Sequence, residues 1–362
     1  MVHNSKYSKF DKPLLVDYLA TKQVTKSLLK YYSLKNENEL LNKLKSDFYY
    51  LSCRDISQNE SCFPFYRGPK LKITDTKRIC PLGIHWKRLV YDDKFGVDEA
   101  INSPLSSEFI KEEDILNLKL PDPRWFDFSP LTKECDLNAK RIIVGGLWSA
   151  IHGDSYRMMG YENFLLNIAL NKNLVQLLVN RMTDFYIEMN TRYFEVVKDK
   201  MDVFFMGNDF GSQSGLMISE EDWYEIYYNN YKKLIDLAHS FNLKVMVHSC
   251  GSIEPLIPYF IKLGVDIIDP VQTTAKGMDP QALGEKYGKK ISFHGAIDTQ
   301  SVIPYGTSED IETHVSILIR HLNKNKNYIA APSNNFMTGT PPQNIDTVYE
   351  TINKLKSNEF LQ

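Results

Sequence analysis

From Arg141 onward the sequence repeats one unit, a short apolar run of strand length followed by a longer stretch with helical periodicity. The runs are Arg141–Trp148, Met201–Asn208, Lys244–Cys250, Val265–Val271, Ile291–Ala296 and Tyr328–Pro332. Most are apolar throughout rather than alternating, as expected of parallel strands that helices cover. In the intervening stretches Trp223, Ile226, Tyr227, Leu234 and Ala238 recur near helical spacing. Ser219 stands in front of them as an N-cap candidate, with Glu220, Glu221 and Asp222 in the first turn. A second helix carries Ile311, Val315, Leu318 and Leu322 after Ser308 and Glu309. The last opens at Pro341-Pro342 and carries Ile345, Val348 and Ile352; proline is tolerated there because the first amides of a helix have no partner within it.

Two further runs, Pro13–Asp17 and Phe48–Cys53, bracket a helical stretch rich in Leu and Lys from about Lys22 to Leu44. They bring the strands to eight and predict an α/β fold, a closed (β/α)8 TIM barrel forming a single domain over 1–362. The exception is Arg54 to Lys140, which mixes Pro, Gly, aromatic and charged residues without a clean period. It reads as a long insertion after the second strand, with a hairpin over Leu71–Tyr91 and a Pro-rich return at Pro121-Asp122-Pro123, placed to act as a lid on the barrel mouth. No internal repeat or low-complexity tract interrupts the chain.

Composition narrows the partners. With 43% hydrophobic residues among 362, the chain can close a large core. Lys+Arg (43) and Asp+Glu (45) nearly cancel, so no electrostatic footprint for nucleic acid or a membrane surface is expected. Lys324 and Lys326 read as a solvated helix end. The five cysteines, Cys53, Cys62, Cys80, Cys135 and Cys250, are odd in number and irregularly spaced, which fits free thiols in a reducing compartment. Met1–Pro13 holds no apolar leader core, and no run approaches the ~18 apolar residues of a membrane span. A soluble, cytoplasmic protein is the expectation.

In such a barrel the chemistry lies at the C-terminal strand ends. The residues there are Asp17 and Tyr18, Cys53, Trp148, Asn208 and Asp209, His248 and Cys250, Gln272, His294 and Asp298, and Asn334 and Asn335. His248-Ser249-Cys250 is the sharpest signal. Strand residues two apart share a face, so imidazole and thiol point together into the mouth. A thiolate with an imidazole is a zinc-type ligand pair, and Gly251 lets the backbone turn away. The competing account is a buried histidine bonded to a carbonyl beside an inert cysteine. Asp209, between Gly207 and Gly211, suits general acid–base work or an Asx turn that ends the strand. His294 is a substrate contact, a further metal ligand or a satisfied core histidine. Asp17, Tyr18, Trp148, Gln213, Gln272, Asp298 and Asn334 are the expected substrate contacts. His85 and His152 lie in irregular segments and receive no role. Gly145-Gly146 lacks a phosphate-loop spacing and reads as close packing.

Several segments carry a family resemblance. His248-Ser-Cys-Gly-Ser-Ile, Leu263-Gly-Val-Asp-Ile-Ile-Asp-Pro-Val-Gln, Gly277-Met-Asp-Pro and Phe293-His-Gly-Ala-Ile-Asp-Thr-Gln resemble the uroporphyrinogen decarboxylase superfamily. More narrowly, they resemble its decarboxylase-like branch, which contains the corrinoid-dependent methyltransferases. The similarity runs through most of the chain: Asp11-Lys-Pro-Leu-Leu-Val-Asp-Tyr, Glu113-Asp114 to Trp125-Phe-Asp, Gly160-Tyr-Glu-Asn-Phe-Leu and Ala331-Pro-Ser-Asn also match branch segments. The resemblance implies a (β/α)8 barrel and methyl transfer between a small methylated substrate or acceptor and a corrinoid carried on a partner protein. It implies zinc on His248 and Cys250, with Asp209 and His294 positioning or protonating the substrate. The sequence departs from the branch near Asn334, where relatives carry a Cys or His third ligand. That leaves Asp209 or His294 to complete the site, or a weak or absent metal. Two other readings stay open. One is cofactor-free decarboxylation of a tetrapyrrole, against which the N-terminal segment lacks the family's arginines, Arg54 and Arg67 being the earliest. The other is a non-catalytic corrinoid- or ligand-binding barrel.

Overall fold

All eight expected strands form, six of them shorter than their apolar runs. The computed structural model describes residues 5–57, 61–74, 76–90, 96–105 and 109–359. The barrel strands are β1 (Leu15–Val16), β2 (Phe48–Tyr50), β3 (Ile142–Gly145), β4 (Val203–Gly207), β5 (Lys244–His248), β6 (Ile267–Val271), β7 (Ser292–Ile297) and β8 (Tyr328–Pro332). They lie in one parallel sheet, in the order β1-β8-β7-β6-β5-β4-β3-β2. The remaining seam, between β1 and β2, is bridged by Asp47. Its backbone N–H donates to the Val16 carbonyl at 2.7 Å, and its carboxylate accepts the Val16 N–H at 2.9 Å. The result is a (β/α)8 TIM barrel with a long insertion after β2.

Pleating sorts the side chains into two cores. Outward residues such as Val16, Phe204, Val245 and Ile268 join the large cluster beneath the helices. Inward residues, among them Leu15, Phe48, Val203, Met246, Ile267 and Ile329, fill the barrel itself. Two positions further along the same inward faces stand Asp17, Tyr50, His248 and Asp269, and β7 contributes His294. An apolar floor therefore carries a polar layer at the C-terminal mouth, the end where barrel chemistry sits.

One device recurs at the opposite end. Asp47, Asp202 and Asp266 each stand one residue before β2, β4 and β6. Each carboxylate accepts a backbone N–H of the preceding strand: Val16 at 2.9 Å, Ile143 at 2.8 Å and Val245 at 2.8 Å. Each is also paired with lysine, Asp47 with Lys12 at 2.5 Å, Asp202 with Lys9 at 2.7 Å and Asp266 with Lys244 at 3.2 Å. The strand starts are thus tied in twos by charge-assisted hydrogen bonds.

The helices differ from expectation in detail. The Lys22–Leu44 stretch is two helices, Lys22–Tyr31 and Glu37–Lys43. Ser33 takes a left-handed conformation (φ 56°) between them, and Asn36 caps the second. Ser219 caps its helix as the sequence indicates, accepting the Asp222 N–H. The helix carrying Ile311 starts at Ser308 and is capped by Thr307, in a reciprocal box with Asp310. The insertion is more ordered than its composition suggests. It holds an antiparallel sheet of three strands, Lys77–Ile79, His85–Val90 and Gly96–Asn102, where a hairpin was expected; Tyr91 lies outside the described residues. It also holds helices Glu112–Leu116 and Leu131–Leu137, whose few apolar positions are too short a run for a helical period to show. Among the described residues, no helix is long and apolar enough to cross a membrane.

Removing the Asp47 carboxylate (Asp47→Ala) leaves the Val16 amide unpaired at the seam and Lys12 and Lys356 without their partner. A loss of about 2–4 kcal/mol in urea unfolding is expected. A loss below about 0.5 kcal/mol would mean the barrel closes without this bridge.

Candidate functional site

Two loops crossing at the mouth assemble the site. The turn after β5 runs through Cys250 and Gly251; the turn after β4 runs through Asp209 and Gly211. A Cβ on Gly211 would lie 2.5 Å from the Cys250 carbonyl oxygen, and one on Gly251 (φ 85°) 2.5 Å from the Gly211 carbonyl carbon. Only glycine allows the two backbones this approach. Ser249, pointing outward, accepts the Phe210 N–H at 3.0 Å and ties the turns together.

The approach delivers Asp209 to the strand-end pair. Its carboxylate accepts the Cys250 N–H at 3.0 Å and stands 3.3 Å from His248 Nε2, while Cys250 Sγ stands 3.3 Å from the same nitrogen. Ligand atoms of Asp209, His248 and Cys250 all lie within 4.8 Å of one another. Trp148 packs its indole 5.0 Å from the His248 ring and walls one side.

Behind the triad runs a buried chain of polar contacts. His248 Nδ1 is 2.6 Å from Asp269 Oδ2, and the other oxygen of Asp269 is 2.5 Å from His294 Nδ1. His294 Nε2 meets Asp17 at 3.1 Å, and Asp17 accepts the Tyr50 hydroxyl at 2.7 Å. Adjacent registers explain the order: His248 pairs with Asp269 across β5 and β6, and His294 lies on the next strand. Burial by itself disfavours charge on each of these groups. For His248 the contacts with Asp209, Asp269 and Cys250 outweigh it, and its pKa is held well above the ordinary value. Burial is likewise outweighed at His294, where the Asp269 charge and the bonds to Asp17 and Asp269 raise the pKa to about 9. Asp269, despite burial, is held below the carboxylate range by the two imidazoles. Asp209 also lies below that range, because His248 and the Cys250 amide outweigh desolvation. Its side chain is 57% exposed, so the pair with His248 is screened by solvent and is assigned no energy.

Asp209 and Cys250 line a cleft of about 610 Å³. Trp148, His152, Tyr156 and Arg157 line it from the segment after β3, and Arg54, Asp55 and Ser57 from the start of the insertion. Arg157 pairs with Asp154 at 3.4 Å and lies over Tyr156, while Arg54 lies over Tyr50. His152, which the sequence reading left without a role, donates to or accepts from Tyr227 Oη at 2.6 Å; burial, with the nearby Arg157 charge, lowers its pKa to about 3 and keeps it neutral.

The other expected contacts are dispersed. Tyr18 bonds Thr25 and, with Tyr50, lines a neighbouring cleft of about 790 Å³. Gln272 accepts the Gly251 N–H at 3.0 Å and so supports the β5 turn. Asp298 is buried, accepting the amides of Gln300, Ser301 and Val302 at the start of a short helix. Gln213 and Asn334 are exposed, and Asn334 folds onto the Asn335 amide. Asn334 is not in the triad; Asp209 takes the third place. His294 is fully buried with both ring nitrogens occupied. Asp269 is not among the residues expected from the sequence, although a carboxylate inside an apolar run marks it.

The donor set fits a zinc-type metal. It offers one cysteine sulfur, one imidazole nitrogen and one carboxylate oxygen, with space in the cleft for a fourth ligand. When His248 donates Nδ1–H to Asp269, its Nε2 lone pair faces Cys250 and Asp209, the orientation that metal-bound histidines adopt.

His294 also gives stability a pH dependence. Its pKa in the fold, about 9, stands above the ordinary ~6.5 of the unfolded chain. The stabilisation is therefore fully present below about pH 6.5 and is lost as pH rises through about 9, a change of about 3 kcal/mol. In urea unfolding of metal-free protein at pH 6 and pH 10, the wild type should lose about that much more than His294→Gln. Equal losses would show that the imidazolium does not stabilise the barrel.

Comparison with known proteins agrees with this architecture. A methyltransferase from Methanosarcina mazei superposes with a TM-score of 0.65 at 12% identity, over 96% of this chain and 97% of its own, a likeness of fold. Dihydropteroate synthase from Anaplasma phagocytophilum overlaps 51% of this chain and 70% of its own at 20% identity, and its TM-score of 0.34 is too low to bear on function. No curated protein sequence matches the chain. Residues 94–355, which span the cleft's main walls and the whole triad, match the family model described as Uroporphyrinogen decarboxylase (URO-D), and the chain belongs to that family.

Proposed function

We propose that this chain is the methyltransferase component of a corrinoid-dependent methyl-transfer or demethylation system, with zinc held by His248, Cys250 and Asp209. The observation that carries the reading is the meeting of three different donor atoms within 4.8 Å, at the mouth of the barrel and open to a cleft. The cleft suits a small substrate rather than a polymer, and its open side leaves room for a corrinoid presented by a partner protein. Zinc in this position would lower the pKa of a bound thiol or polarise a donor oxygen.

The chain's own residues do the rest. Asp269 holds the His248 ring in one tautomer and one orientation. His294, in line behind it and itself backed by Asp17, keeps the Asp269 carboxylate ionised and fixed. The Cys250 amide aims Asp209 across the site, and Trp148 shields the His248 face from water. Arg54 and Arg157 bring positive charge to the cleft wall, and the start of the insertion covers one side of it. Cofactor-free decarboxylation of a tetrapyrrole is the second reading. The family and these two arginines favour it, but two guanidiniums are few for a ligand with several carboxylates.

Two measurements test the proposal. Purified protein should bind close to one zinc per chain, and Asp269→Asn, which keeps the shape but loses the charge behind His248, should weaken zinc affinity about 10–100-fold. With methylcobalamin and a small thiol, the zinc-loaded protein should accelerate demethylation of the corrinoid, read from its visible spectrum. Undiminished activity of the His248→Ala, Cys250→Ala double variant would remove the metal role. Conversion of uroporphyrinogen without corrinoid turnover would replace methyl transfer by the second reading, and ligand binding without either reaction would make the chain a binding barrel.

A further inference from the structure

Cys53 and Cys62 flank the residues by which the insertion enters the cleft. Cys53 follows β2 by three positions, and Cys62 precedes the turn Phe63–Phe65. Both side chains are fully buried, and their sulfurs are in direct contact, 2.6 Å apart. Neither lines the cleft, and neither belongs to the triad. The chain segments that carry them are held together independently of the sulfurs. Ser61 Oγ accepts the backbone N–H groups of Arg54 at 3.3 Å and Asp55 at 3.0 Å, and donates to the Asp55 carbonyl at 3.2 Å. The Tyr193 hydroxyl donates to the Cys53 carbonyl at 3.1 Å. Two thiols presented to each other by such a frame are placed to react with one another.

We propose that Cys53 and Cys62 form a reversible dithiol–disulfide pair, oxidised by a small-molecule disulfide, that fixes Arg54, Asp55 and Ser57 at the cleft wall. The exchange takes two steps. One protein thiolate attacks a sulfur of the small disulfide, breaks its S–S bond and releases one small thiol. The second protein thiolate then attacks the protein sulfur of the mixed disulfide, forms the Cys53–Cys62 bond and releases the other small thiol. The two protons lost by the cysteines leave on the two small thiols; the protein pair is oxidised by two electrons and the small disulfide reduced. Burial, together with the Cys62 contact, raises the Cys53 thiol well above its ordinary pKa. Attack therefore proceeds from a locally opened form in which the thiol meets water, and the reaction is slow at neutral pH and faster in alkali. The inference does not depend on the metal or on methyl transfer.

The test uses the whole protein. Wild type is incubated with oxidised glutathione at pH 8, quenched in acid, unfolded, alkylated and digested. A peptide linking Cys53 to Cys62, lighter by two hydrogens and absent after dithiothreitol, is expected, with Cys80 and Cys135 alkylated. Closing so short a loop should also raise the thermal midpoint by about 3 °C over the reduced protein. Cys62→Ala should show neither the linkage nor the rise. Alkylation of both Cys53 and Cys62 after this treatment, or a linkage that joins another pair, would overturn the proposal.

Discussion

A single buried carboxylate organises the mouth of this barrel. Asp269 holds one imidazole on each oxygen, His248 toward the cleft and His294 toward the closing seam. A lone carboxylate in that position would be costly, and so would either imidazolium alone. Together they satisfy one another, and Asp17 and Tyr50 complete the line. The interactions are mutual: the imidazoles keep Asp269 ionised, and the Asp269 carboxylate fixes the ring whose Nε2 faces Cys250 and Asp209. The polar layer is thereby rigid, and the apolar floor beneath it gives it no alternative partners.

Rigidity at the mouth rests on order at the other end. Asp47, Asp202 and Asp266 tie strand starts in twos, and Asp47 also spans the β1–β2 seam. With strand registers set below, His248, Asp269 and His294 arrive at similar heights above the floor. The remaining member, Asp209, is on a loop, and its placement depends on two glycines that let the β4 and β5 turns touch. Strand register thus positions the second layer of the site, while backbone contact between turns positions its solvent-facing acid.

Much of this was legible in the residues. Eight apolar runs of strand length marked the barrel, and a two-residue spacing put His248 and Cys250 on one face. Asp209 stood out as an acid just past a strand. What escaped had physical causes. The helix break at Ser33 rests on one backbone conformation, which the Leu and Lys pattern on either side does not betray. Arg54, Asp55 and Ser57 reach the cleft by tertiary folding of a segment without period. His152 lies in a helix that starts just after a strand end, and its cleft position depends on the Asn208 side chain accepting its amide at 2.7 Å. Asn334 occupied the expected place for a third ligand in sequence but is exposed in the fold, and the triad is instead completed from the loop after β4. Asp269 was readable in principle, because an acid inside a buried strand requires a partner.

The central claim is that a barrel-mouth metal is held by one sulfur and two lighter donors. X-ray absorption at the zinc edge of the zinc-loaded protein tests it most directly. One sulfur at about 2.3 Å and nitrogen or oxygen donors at about 2.0–2.2 Å are predicted, with the sulfur shell absent in Cys250→Ala. A shell of light atoms alone in the wild type, or a sulfur shell that survives loss of Cys250, would contradict it.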